Sequence, residues 1–117
     1  MTFREELTEK FNAISNQLSP EQSDAALNEL LDFINTRFAT PTDAAAISKM
    51  QDEVDFFVDA DDPKLRYLHE IPDQFSDLTI SIYAFWLLVS VQKVVFRPQN
   101  VPAFNEFADK FSNIIIR

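Results

Sequence analysis

The sequence predicts an all-α fold: an antiparallel, up-down four-helix bundle with an extra short helical turn, or five helices if that turn is counted, in one domain over residues 1–117. Three observations carry this expectation. Apolar residues recur at steps of three and four along most of the chain. Prolines stand beside capping residues at the starts of those runs. The chain also contains no glycine, where average usage would give about eight. Primed hairpin turns lean on glycine, so its absence weighs against an antiparallel β fold.

The first helix is expected over residues 2–18, with Phe3, Leu7, Phe11, Ile14 and Leu18 on one face and Arg4, Glu5, Glu6, Thr8, Glu9 and Lys10 on the other. The stretch SPEQ then reads as a helix start, with Ser19 capping, Pro20 first and Gln22 placed for the return bond of a capping box. A second helix runs to about residue 38 on a stripe of Leu27, Leu30, Leu31, Ile34 and Phe38. TPTD repeats the grammar, with Thr40 as cap, Pro41 first and Asp43 in the first turn, where the helix dipole favours a carboxylate. Helix three turns Ile47, Met50, Val54, Phe57 and Val58 inward. In DDPK, Asp62 and Pro63 open a short turn through Leu65 and Leu68 toward His69, and Pro72 precedes the longest apolar run. Asn100, Val101 and Pro102 introduce a last helix whose stripe is Phe104, Phe107, Ala108, Phe111, Ile114 and Ile115. Every proline except Pro98 lies near a helix start.

The long run, LTISIYAFWLLVSVQKVVF over 78–96, has three readings. A membrane-spanning helix needs about 20 predominantly apolar residues, and this run contains Thr79, Ser81, Ser90, Gln92 and Lys93. As a strand it would be about three times the usual length, with no second strand to pair with. It therefore reads as a central bundle helix, apolar nearly all round, with Thr79, Trp86, Ser90 and Lys93 on one narrow wet stripe and Trp86 at its edge. Twelve phenylalanines suggest a core built from large rings.

Composition excludes several chemistries. With no cysteine there are no disulfides, thiol nucleophiles or thiolate metal sites. Without glycine, phosphate-cradling loops, dinucleotide-binding turns and nucleophile elbows lack their raw material. His69 is the one imidazole, with neither a nucleophile turn nor further zinc ligands to accompany it. No catalytic residue, cofactor or metal site is expected. The net charge of −9 argues against direct nucleic-acid binding and favours a basic partner. The N-terminus has no apolar stretch of the kind a secretion signal carries, so a cytoplasmic location is expected.

The densest charge cluster is QDEVDFFVDADD, where Asp52, Asp55, Asp59 and Asp62 share one helical ridge opposite the Met50, Val54 and Phe57 face. Phe56 projects from this acidic side, and an aromatic ring among carboxylates suits a basic, amphipathic partner. These five residues and Trp86 are the expected partner-binding set. Glu29 and Asp32 beside Asp52, Glu53 and Asp55 are similar to the acidic pairs of metal-dependent all-α nucleotide pyrophosphohydrolases, although Phe56 stands where that pattern has an Asp. In helix order, chain length and a late helix following VVFRPQN, the layout resembles the small bacteriocin immunity proteins of lactic-acid bacteria. That resemblance implies a non-enzymatic cytoplasmic bundle that binds another protein. The alternatives are an acidic decoy for a basic nucleic-acid-binding protein and a pyrophosphohydrolase-like enzyme. Homodimerisation stays open.

Overall fold

A computed structural model describes residues 2–14, 18–58, 74–91 and 94–115. Among them the chain forms α1 (Phe3–Asn12), α2 (Pro20–Arg37), α3 (Ala44–Val58), α4 (Asp77–Trp86) and α5 (Pro102–Ile115), with no strand. The all-α bundle is thus the observed architecture, and no helix among the described residues is long and apolar enough to cross a membrane. The expected turn from Asp62 to His69 lies outside the described residues.

Local chemistry sets the first three starts. The Thr2 hydroxyl accepts the Glu5 amide at 3.2 Å. Ser19 and Gln22 form the expected capping box, with bonds of 3.2 and 3.0 Å. Helix α3 begins at Ala44 rather than behind Thr40, because the Asp43 carboxylate accepts the Ala46 amide at 3.0 Å. A charged acceptor at the positive end of the helix dipole is the stronger cap. Pro41 stays in the connection, its carbonyl taking a bond of 2.9 Å from the Asn113 amide group.

The last two helices are capped from elsewhere in the fold. Ser76 precedes α4 without capping it by its own side chain. Instead Glu53 of α3, only 6% exposed, accepts from the Ser76 amide at 3.2 Å, the Ser76 hydroxyl at 3.0 Å and the Thr79 hydroxyl at 3.0 Å. At α5, Asn28 of α2 accepts the Ala103 amide at 2.8 Å. Both bonds satisfy otherwise orphaned helix-start donors while fixing one helix against another.

Two expectations for the 78–96 run are corrected. Thr79 is fully buried against Glu53 rather than wet, and of the expected polar stripe Ser90 is exposed while Trp86 is half-buried. The helix is also shorter than expected. After Trp86 it widens into a π-helical turn, Leu87–Val91, and the chain is extended by Val94, whose amide bonds back to the Leu88 carbonyl at 2.9 Å. Helix α1 likewise stops at Asn12, before the expected residue 18, yet Ile14 stays buried and Leu18 packs on the core.

Leu7, Leu27, Leu30, Leu31, Ile34, Leu87 and Leu88 form an aliphatic centre, closed on the α5 side by Phe107, Phe111 and Ile114. The rings mostly flank this centre rather than fill it. Phe3 stacks on Phe33 at 5.4 Å, and Phe85, Phe96, Phe104 and Phe107 form a second group with neighbouring centroids 5.0–6.4 Å apart. Helices α1 and α2 pair antiparallel through Arg37–Glu6 (2.7 Å) and Lys10–Glu29 (3.2 Å). Helix α5 runs along α2 in the same sense: Asp24 meets Arg97, Asn28 meets Ala103, and Asn35 meets Glu106 and Lys110. The connection through 94–101 carries the chain back to make this possible.

Replacing Glu53 by Ala would leave the buried Thr79 hydroxyl without its acceptor and strip the cap from α4, at a cost of about 2–4 kcal/mol. The exposed Asp52→Ala change should cost less than about 0.5 kcal/mol. Denaturant titration of both checks this, and equal midpoints would refute the role given to Glu53. A second expectation concerns acid. The Arg37 guanidinium hydrogen-bonds Glu6 and holds its carboxyl below the usual carboxylate range. A depressed folded-state pKa contributes stability above the ordinary carboxylate pKa, and the contribution fades as pH falls through the folded value. Glu6→Gln should therefore lower the midpoint slightly at neutral pH and match the parent in acid. A deficit independent of pH would contradict this.

Candidate functional site

Two surfaces flank α3, and the predicted site residues divide between them. On the outward side Asp52 is exposed, Asp55 half-buried and Phe56 59% exposed. The 100° step between helical residues places Asp52 and Asp55 well away from buried Met50, while Phe56, three residues after Glu53, lies toward the segment that precedes α4. Phe56 is not an isolated ring. Its centroid lies 5.7 Å from that of Phe75, which packs against the core just before α4. The Phe75 carbonyl accepts from Arg4 at 2.9 Å, and Arg4 also approaches Asp77 at 3.4 Å. A rim of both charges thus surrounds an aromatic pair supported from beneath. Asp59 and Asp62, the rest of the expected ridge, and His69 lie outside the described residues.

Trp86 does not join this surface. It lines an apolar recess of about 480 Å³ on the other flank of α3, open at one side. Val54 of α3 forms one wall, and Ile82, Tyr83, Phe85 and Trp86 of α4, with Val89 of the π-helical turn, form the second. Helix α5 supplies the third through Phe104, Phe107, Ala108, Ser112 and Ile115. Tyr83 and Trp86 stack with centroids 5.7 Å apart. Among the described residues no charged side chain lines the space, and the polar groups that do are hydroxyl, phenol and indole.

The recess was not expected from the sequence. The signal available for it was the width of the α5 stripe. Phe107, Phe111 and Ile114 account for the core contact, leaving Phe104, Ala108 and Ile115 as apolar positions to spare. Ala108, small among large rings, opens the volume.

The carboxylates considered for metal binding do not converge. Glu29 pairs with Lys10, Asp32 is exposed, and Glu53 is engaged by Ser76 and Thr79. Among the described residues no group of three or more His, Cys, Asp or Glu side chains is placed to hold a metal ion.

The polar contacts of α5 hold the recess in shape. Asn35 donates to the Ala103 carbonyl at 3.0 Å, Gln51 to the Asn113 carbonyl at 2.7 Å, and Lys110 to the Asn35 carbonyl. Arg97 binds Asp24, which raises the guanidinium pKa further above its ordinary value. Helix α5 is therefore bound to α2 and α3 along its length.

Comparison with protein-family models, with curated proteins and with solved structures found no match to this chain.

Proposed function

We propose that the protein is a non-enzymatic binding module that engages a second protein with a basic surface through the outward face of α3. The observation that carries this reading is Phe56, a large ring 59% exposed, one helical turn from Asp52 and backed by Phe75. An exposed ring held by a half-buried neighbour that packs on the core loses little freedom on binding, and aromatic anchors supply a large share of interface energy. The surrounding carboxylates and the net charge of −9 favour approach of a cationic partner and disfavour an anionic one. Bacteriocin immunity is the most concrete instance of this proposal, resting on the resemblance in layout. The excess of negative charge also suits an acidic decoy that occupies a nucleic-acid-binding protein.

Expression of the chain in bacteriocin-sensitive cells should give survival against one bacteriocin. Phe56→Ala and the double change Asp52→Lys, Asp55→Lys should each abolish it at unchanged protein level. Absence of protection across a panel would count against immunity. A decoy would instead capture basic DNA-binding proteins in a manner lost with salt and competed by DNA. If Phe56→Ala leaves partner affinity intact but lowers stability by about 3 kcal/mol, as a buried Phe would, the ring is packing and the proposal fails.

A further inference from the structure

The recess between α3, α4 and α5 coincides with two irregularities of the described helices. On one wall α4 gives way to the π-helical turn that carries Val89. On the other, α5 breaks at Phe111, whose φ of −119° and ψ of 15° depart from helical values, immediately before Ser112. Single π-turns are rare and recur at functional sites, because a regular helix packs better. The two departures from regular helix thus lie on two different walls of the recess.

The lining defines what would fit. A charged ligand would lose its hydration and find no charged partner among the described lining residues. The stacked Tyr83 and Trp86 with Phe85 and Phe104 offer ring faces and edges. Ser112 brings a hydroxyl whose contact, to the Asp109 carbonyl, is long at 3.4 Å. A volume of about 480 Å³ has room for a molecule of two or three rings. That lies within the range of small-molecule sites.

We propose that this recess is a binding site for an uncharged, mainly apolar small molecule of two or three rings, with the Ser112 hydroxyl as its polar contact. The site is separate from the α3 surface, and its ligand does not depend on the protein partner proposed there.

Trp86 is the sole tryptophan and lines the recess, so its fluorescence reports this site. The full chain is titrated with N-phenyl-1-naphthylamine, which is neutral and of the required size, and with 8-anilinonaphthalene-1-sulfonate, which adds one negative charge to the same skeleton. The neutral probe should bind saturably at one site per chain and quench Trp86, with the sulfonate at least tenfold weaker. Ala108→Phe, which fills the space, should weaken the neutral probe at least tenfold at an unchanged helical circular dichroism spectrum. On the unaltered chain, nuclear magnetic resonance shifts should move at the Trp86 indole and Ala108 methyl and not at Asp52. Absence of saturable binding, equal affinity for the sulfonate, full binding by folded Ala108→Phe, or shifts confined to other residues would each overturn the proposal.

Discussion

The buried carboxylate of Glu53 is the constraint on which the arrangement of this bundle turns. A carboxylate out of water is costly unless its oxygens are satisfied. Here one amide and two hydroxyls, all from the start of α4, satisfy it. One of these bonds also satisfies the Ser76 amide, an otherwise orphaned donor at the start of α4. One group thus answers two needs, and each is met only when α3 and α4 are in register. Breaking one partner leaves the other exposed to the full desolvation penalty. The bond between Asn28 and Ala103 applies the same logic between α2 and α5.

This pinning determines what lies on either side of α3. With Glu53 fixed against α4, Phe56 turns outward to meet Phe75, and Val54 turns to the opposite flank and the recess. The acidic, aromatic surface and the apolar space are therefore two consequences of one helix orientation. The long polar seam between α2 and α5 fixes the helix that forms the third wall of the recess. Since α5 is bound along its length, it belongs to the scaffold rather than acting as a detachable arm.

Local chemistry was legible in the sequence. The faces of α1, α2 and α5 follow from apolar spacing, and the Ser19–Gln22 box involves residues three apart. Asp52, Asp55 and Phe56 were placed outward by helical geometry alone. Long-range polar pairing was not legible. Periodicity groups Thr79 with Trp86 and Ser90, but it does not say that Thr79 meets a carboxylate 26 positions earlier instead of water. Glu53 gave a hint by standing beside Met50 and Val54 on the inward side of its helix. The end of α4 and the recess escaped for a related reason. An apolar pattern records which residues avoid water, not whether the surfaces they form meet. Trp86 was rightly placed at a boundary, but that boundary is with an apolar space.

Amide hydrogen exchange across the first turn of α4 tests the role of Glu53 most directly. In the parent chain the Ser76 amide, held by Glu53, should be protected together with the Ile80 amide, which bonds to the Ser76 carbonyl. Glu53→Gln keeps the shape of the side chain but removes its charge and one acceptor. Protection there should fall by at least tenfold while the amides of α2, far from the change, exchange as before. Undiminished protection of the α4 start in a folded Glu53→Gln protein would contradict the account.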